Sequence, residues 1–178
     1  MEVADSPRLS FAPITDQDAE LLFELDQDPE VMRYINGGHM TTMEEVHEVF
    51  IPRLNAYRNP VKGWGLWKVT VKDEQRYVGW ILVRPMDFFG EQPQWNDIEL
   101  GWRFKRDSWG KGYATEAARA VCDAIATQDE VQKISAVAME DNLASIGVMK
   151  KLGMRYLKTD IHKDPLGDMN AVFYSMDV

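Results

Sequence analysis

The chain has 178 residues, of which 45% are hydrophobic and 28% charged, and it carries a formal net charge of −9 at pH 7. This length and composition are typical of one globular domain spanning residues 1–178, and no apolar run is long enough to cross a membrane. The acidic balance argues against a nucleic-acid partner, which would require a basic face, and it is compatible with a cationic ligand.

Cysteine and histidine usage gives no indication of a disulfide or a metal site. Cys122 is the single cysteine, and the three histidines are scattered without a paired spacing. Residues 1–15 lack the apolar segment of a signal peptide. We therefore expect a cytoplasmic protein, monomeric or homodimeric, with no metal and no membrane partner.

The first third of the chain is predicted to form one strand followed by helices. Leu9 to Pro13 is a short strand closed by proline, and Asn36-Gly37-Gly38 interrupts the helical pattern that follows. Thr42 and Glu45 form a capping-box pattern at the start of a helix. Helices are predicted at Thr15 to Asp26, at a short segment beginning with Asp28-Pro29, and at Thr42 to Tyr57.

From Gly65 onwards, strand patterns alternate with two further helices. Residues 84–96, rich in Pro, Phe and Gly, are predicted to form a functional loop. The predicted helices are Ala114 to Thr127 and Asn142 to Leu152. The predicted strands are Gly65 to Val71, Tyr77 to Val83, Asp97 to Phe104, Lys133 to Met139, Tyr156 to Asp160 and Ala171 to Met176. This order predicts an α/β fold with a mixed sheet and helices on both faces.

The segment Trp109-Gly110-Lys111-Gly112-Tyr113-Ala114 lies between a predicted strand and a predicted helix. Its glycines allow close backbone approach, and successive N–H groups at a helix start bind anions such as pyrophosphate. Four cationic side chains between Arg103 and Lys111 form a basic island in an acidic chain. Two other interpretations remain open. The segment also begins a G-x-G-x-x-G dinucleotide pattern, although Thr115 replaces the third glycine, and it is compatible with a simple turn before a helix.

The run from Glu99 through Trp109-Gly110-Lys111-Gly112-Tyr113-Ala114 to Ala117 resembles the GNAT superfamily of N-acetyltransferases, as do Asn142-Leu143-Ala144-Ser145 and Lys151-Leu152-Gly153-Met154. Within it, the chain is similar to the branch of Rim-type ribosomal-protein N-terminal acetyltransferases, from Leu9 to Met176. The resemblance implies a single GNAT-type domain with a mixed, mostly antiparallel sheet of about seven strands, and acetyl-CoA as acyl donor. Gly112 and Ala114 match the last two fixed places of the superfamily's acetyl-CoA motif, whereas Trp109 replaces its Gln or Arg.

The resemblance also implies a set of cofactor-binding residues. Main-chain groups are expected to bind the pantetheine arm where the strands Ile98 to Phe104 and Ile134 to Met139 splay apart. The expected residues are Trp102, Arg103, Phe104, Trp109, Gly110, Lys111, Gly112, Tyr113, Ala114 and Asn142.

Two residues are candidates for the chemistry. Glu99 lies in an apolar run, where it is either the general base that deprotonates an amine or a salt-bridged structural residue. Ser145 lies on one helical face with Asn142 and Met149. The superfamily often carries a tyrosine at the Met149 place, and the resemblance implies that Ser145 donates to the leaving thiolate instead. From the helix pattern alone, Asn142 is a cap and Ser145 a solvated residue.

The sequence therefore predicts transfer of acetyl from acetyl-CoA to a primary amine by direct attack, the acceptor being a protein N-terminal α-amine or a small molecule. Cys122 has no histidine nearby in sequence and is not expected to form a covalent intermediate. Two other functions remain open, a non-catalytic acyl-CoA-binding regulator and a dinucleotide-binding oxidoreductase. An acceptor slot is expected to include Tyr34, Phe88, Phe89 and Trp95.

Overall fold

A seven-stranded mixed sheet organises the chain, and the computed structural model describes residues 1–178. The spatial order is β1-β2-β3-β4-β5-β7-β6, and every neighbouring pair is antiparallel except β4 and β5. The strands are β1 (Leu9–Pro13), β2 (Gly65–Val71), β3 (Arg76–Met86), β4 (Gln94–Phe104), β5 (Lys133–Ala138), β6 (Arg155–His162) and β7 (Met169–Asp177). The predicted fold class, a mixed and mostly antiparallel sheet with helices, is confirmed.

Helices cover both faces of the sheet. They are α1 (Ala19–Leu25), α2 (Pro29–Asn36), α3 (Met43–Glu45), α4 (Ile51–Tyr57), α5 (Tyr113–Ile125) and α6 (Leu143–Leu152). Neighbouring strand residues point to opposite faces, so Ile81 packs with α5 and α6 while Leu82 packs with the α1–α4 layer. None of these helices combines the length and hydrophobicity that a membrane crossing requires.

The predicted helix from Thr42 to Tyr57 contains a π-helical turn at Val46–Phe50. Its start is as predicted, because Thr42 Oγ1 accepts a hydrogen bond from Glu45 N at 3.1 Å and the Glu45 carboxylate accepts one from Thr42 N at 2.7 Å. The next residue after the turn, Ile51, donates its N–H to the carbonyl of Val46 five residues earlier. Pro52 follows and has no N–H to continue the regular ladder, so the wider turn lets α4 begin in a new register.

The loop predicted at residues 84–96 is shorter than expected, because β3 continues to Met86 and β4 begins at Gln94. Pro85 lies opposite Ile98, and the register shifts after Pro85. Lys105 N donates to Val78 O, which shows that the odd-numbered residues of this part of β4 bond to β3. Pro85 therefore occupies a pair that exchanges no ladder bonds, where its missing N–H costs nothing.

Candidate active site

Strands β4 and β5 pair only at their beginnings and then separate. Parallel pairing runs from Asp97 opposite Lys133 to Glu99 opposite Ser135 and stops there. Beyond this point β4 continues along β3, and β5 continues along β7. The splaying expected for these two strands is confirmed.

The split leaves main-chain groups of β4 without a strand partner. Because the odd-numbered residues bond to β3, the N–H and C=O groups of Leu100 and Trp102 face the split. An extended amide-containing chain can bond to such an edge, which fits the pantetheine arm. Arg103, also expected to bind the pantetheine arm, is placed differently, because its main chain faces β3 and its guanidinium donates to Asp26 at 2.7 Å. The Phe104 carbonyl is likewise occupied, since it accepts the Trp109 indole N–H at 2.9 Å.

The segment after β4 presents a free helix N-terminus. Gly110 and Gly112 have φ values of +72° and +79°, the left-handed conformation that glycine adopts without strain. Gly112 is the N-cap residue of α5, no side chain caps this helix, and the first N–H to find a carbonyl partner is that of Glu116. The N–H groups of Tyr113 and Ala114 are therefore free to bind an anion, and the exposed Lys111 lies beside them.

Glu116 does not oppose an anion at this N-terminus, because the N-terminal segment binds it. Its carboxylate accepts hydrogen bonds from Ser6 Oγ at 2.7 Å, Arg8 N at 3.0 Å and Arg8 Nε at 2.7 Å. Burial acts to raise the pKa of Glu116, but the bonds from Ser6 and Arg8 outweigh it and lower the pKa. Arg8 also donates to the Lys111 carbonyl at 2.8 Å and so fixes the glycine-containing turn.

Glu99 lies in a cavity of about 550 Å³ that reaches from the split to the α2–α4 side of the sheet. It is 6% exposed, and Arg84, which is directly opposite on β3, donates from Nε to Glu99 Oε2 at 2.7 Å. Burial acts to lower the pKa of Arg84, but the charge and hydrogen bond of Glu99 raise it above its ordinary value. Glu99 is thus an ion-paired carboxylate rather than an isolated buried acid, and its Oε1 makes no hydrogen bond within the chain.

Ser145 and Asn142 line the same cavity at the start of α6. Asn142 Oδ1 accepts a hydrogen bond from Ser145 N at 3.2 Å, so its side chain caps the helix. The Trp102 indole N–H donates to Ser145 Oγ at 3.2 Å, which leaves the hydroxyl proton free for another acceptor. Met149 is fully buried in the core and does not line the cavity.

Most of the aromatic residues predicted for an acceptor slot lie elsewhere. Tyr34 lines the cavity, but Phe88 and Phe89 pack edge-on against Tyr57, with ring centroids 5.8 and 6.1 Å away. Trp95 instead stacks on Trp64, at 5.9 Å between centroids.

Tyr57 and Arg84 also line the cavity and were not predicted from the sequence. Burial raises the pKa of Tyr57 to about 12, so its phenol is neutral at physiological pH. Arg84 could be found from the sequence only if the register of β3 against β4 were known, because that register places Arg84 opposite Glu99.

Comparison with known proteins identifies the family. The model of the acetyltransferase (GNAT) domain matches residues 8–155. FsC-acetyl coenzyme A-N(2)-transacetylase of Aspergillus fumigatus is 30% identical over 159 residues, which are 88% of this chain and 66% of that protein. The acetyltransferase (GNAT family) of Bacillus anthracis has a TM-score of 0.75 and 27% identity, with 97% of this chain and 96% of that chain covered.

RimL, a ribosomal L7/L12 alpha-N-protein acetyltransferase solved with coenzyme A, shares the fold at a TM-score of 0.75. Its identity is 13%, with 99% of this chain and 97% of that chain covered. The dinucleotide-binding interpretation of Gly110-Lys111-Gly112 is therefore wrong, since the sheet is mostly antiparallel and the matched family transfers acyl groups. The chain belongs to the GNAT family of acetyltransferases.

Proposed function

We propose that this acetyltransferase acetylates a primary amine by direct attack, with donor and acceptor meeting in the cavity that contains Glu99. The observation that carries the proposal is the continuity of this cavity, since Trp102 and Ser145 on the split side and Glu99 and Gly101 on the other all line it. A donor and an acceptor held next to each other in one cavity are placed for direct attack, because binding removes the entropic cost of bringing them together. Cys122 does not line the cavity, and burial raises the pKa of its thiol to about 12, so a covalent route through it has no support.

The split and the α5 N-terminus fit acetyl-CoA, which supplies the acetyl group as a thioester when bound. Free main-chain groups of Leu100 and Trp102 would hold the amide-containing arm. Free N–H groups of Tyr113 and Ala114, with the Lys111 ammonium, would hold the pyrophosphate. One of the proteins described above is named for acetyl coenzyme A and another was solved with coenzyme A, which supports this proposal.

Glu99 is proposed to take the proton that the acceptor amine loses. Arg84 holds Oε2, so Oε1 remains to accept a proton from the acceptor, directly or through one water. Gly101 lies two residues further along the same face and lines the same cavity, and a Cβ at this position would come within 3.3 Å of the Leu82 side chain, so a larger residue would crowd the cavity wall next to Glu99.

Ser145 is proposed to donate a hydrogen bond to the departing thiolate. Trp102 occupies one lone pair of Oγ and orients the hydroxyl, so its proton is directed to another acceptor. A thiol has an ordinary pKa near 8.5, so a single donor is enough to assist its departure.

The test is an amine panel with acetyl-CoA, followed by the appearance of free thiol and by mass spectrometry of the products. An N-terminal peptide and small amines together cover the two acceptor classes. Thermal shift with acetyl-CoA and with NADP should show stabilisation by the first ligand only, because a ligand stabilises the state that it binds. Stabilisation by acetyl-CoA without turnover on any amine would favour a non-catalytic acyl-CoA-binding regulator and overturn the proposal.

A further inference from the structure

Every carboxylate that lines the cavity already has a cationic or histidine partner within the chain. The pairs are Glu99–Arg84, Asp26–Arg103, Asp164–Arg53 and Glu45–His39. The N–O distance is 2.7 Å in the first two pairs and 3.2 Å in the last. The three carboxylates held by guanidiniums are therefore not available as counter-ions for a second ligand charge, and Glu45 is the one lining carboxylate outside that set.

The three guanidinium pairs are largely withdrawn from water. The carboxylate side chains of Glu99 and Asp26 are 7% and 6% exposed, and that of Asp164 is 14% exposed. A ligand ammonium that recruited one of them would leave a buried guanidinium unpaired, which is strongly unfavourable. The lining holds four carboxylates and three guanidiniums, an excess of one carboxylate, although the whole chain carries a net charge of −9. This balance accommodates one ammonium group and disfavours a second.

Most of the uncharged lining is apolar, the polar exceptions being Tyr34, Asn36, Thr41, Tyr57, Asn142 and Ser145. Its walls include Met32, Val49, Phe50, Leu54, Leu66 and Leu82. At the mouth, Ile35 on α2 and Leu166 between β6 and β7 are 48% and 55% exposed. An apolar ligand would cover both side chains, whereas a second charged group would lose its hydration there without gaining a partner.

We infer that the acceptor is a monoamine with an apolar carbon skeleton and no second charged group within the cavity. This inference rests on the proposed N-acetyltransferase function and narrows its acceptor. It includes alkylamines and peptides with an apolar first residue, and it disfavours polyamines, aminoglycosides and free amino acids.

The test compares acceptors that match in shape and differ in one charge. Heptylamine and 1,6-diaminohexane have the same number of heavy atoms, and norleucine amide differs from lysine amide by the terminal ammonium and from norleucine by the carboxylate. The quantity compared is kcat/KM, measured by thiol release and corrected for the number of amines. We expect it to be at least about tenfold higher for heptylamine than for 1,6-diaminohexane, and at least about tenfold higher for norleucine amide than for lysine amide or norleucine. The more reactive of heptylamine and norleucine amide shows whether an amide next to the amine is required.

Equal or better use of 1,6-diaminohexane or lysine amide would overturn the inference while leaving the proposed function intact. Binding of acetyl-CoA without turnover of any amine would instead remove the proposed function, and the inference with it. These two failures give different readouts, so they are distinguishable.

A variant that frees one lining carboxylate provides an independent test. Arg53→Met removes the partner of Asp164 and keeps an unbranched side chain on Phe89, so the rate ratio of 1,6-diaminohexane to heptylamine should rise about tenfold. Adding Asp164→Asn should return the ratio to that of the parent, which separates the freed charge from any change in packing. Arg33→Met is the matched control, because Arg33 is 61% exposed and does not line the cavity. An unchanged ratio in folded Arg53→Met, verified by thermal unfolding, would contradict the inference.

Discussion

The Glu99–Arg84 pair allows the base role of Glu99 to be separated from a structural role. Both residues are almost fully buried, at 6% and 7% exposure, and their N–O distance is 2.7 Å. Glu99→Gln leaves the guanidinium without a counter-ion, and removal of one partner from a buried pair costs about 3–5 kcal/mol. For a domain of this size, that corresponds to a fall of about 6–20 °C in the melting temperature.

The same substitution should lower turnover by about 10²- to 10⁴-fold at neutral pH if Glu99 is the general base. Loss of stability and loss of activity are then expected together, so Glu99→Gln alone does not distinguish the two roles. The double variant Arg84→Gln and Glu99→Gln does, because it removes both charges and the two amides can bond to each other across the strands. We expect its melting temperature to recover most of the loss while its turnover stays about 10²-fold or more below the parent. Turnover that recovers in step with stability would refute the base role.

A pH–rate profile of Glu99→Gln, measured with two acceptors, gives a second readout. The deficit should shrink as pH rises towards the pKa of the acceptor, because the amine then deprotonates in solution. It should also be smaller for an α-amine, with a pKa near 8, than for a lysine-like amine near 10.4. A deficit that is flat across pH and equal for both acceptors would assign Glu99 to positioning rather than proton transfer.

Four further substitutions test the cofactor site, the thiolate donor and the sheet. Gly112→Asp places a charge and a side chain at the free α5 N-terminus and should weaken acetyl-CoA binding more than tenfold, about 1.4 kcal/mol, in calorimetry; Gly153→Asp, also at a left-handed helix end, is its control and should bind normally. Ser145→Ala should lower turnover by roughly ten- to a thousandfold with little change in acetyl-CoA affinity. Trp102→Phe removes the indole bond to Ser145 but keeps the serine hydroxyl, and it should have a smaller effect than Ser145→Ala, so equal losses would contradict the donor role. Burial raises the pKa of the Asp97 carboxyl above its ordinary value of 3.8. Ionisation of Asp97 in the folded state therefore lowers the free energy of unfolding, and this cost develops as the pH rises above 3.8. Asp97→Asn should raise the melting temperature at pH 7 and leave it unchanged near pH 4, as measured by calorimetry.

The parts of the site that the sequence predicted correctly depend on local signals. Helix α6 begins after Asn142 and ends before Gly153 as expected, because capping depends on side-chain and backbone geometry within one turn. The glycine-containing turn before α5 was predicted for the same reason, since left-handed φ values at Gly110 and Gly112 are a property of glycine itself.

The parts that the sequence missed depend on strand register. The sequence predicts Arg84 to lie in a loop because residues 84–96 are rich in Pro, Phe and Gly, and a proline usually argues against a strand interior. Once β3 extends through Pro85 at a pair without ladder bonds, Arg84 falls opposite Glu99, 15 positions along the chain. The same loop prediction placed the aromatic residues between β3 and β4 in an acceptor slot. In the structure, Phe88 and Phe89 instead pack edge-on against Tyr57.

Net charge and cavity charge act on the acceptor at different stages. The net charge of −9 attracts any protonated amine, and it attracts a diamine more strongly than a monoamine because the steering energy scales with ligand charge. The long-range field therefore cannot favour a singly charged acceptor. Discrimination has to arise where the ligand is desolvated, against carboxylates such as Glu99 and Asp26 whose charges are already neutralised by arginines. Selectivity in this enzyme is thus expected to lie in the ion pairs of the cavity, and a change of one arginine should alter it more than any change in surface charge.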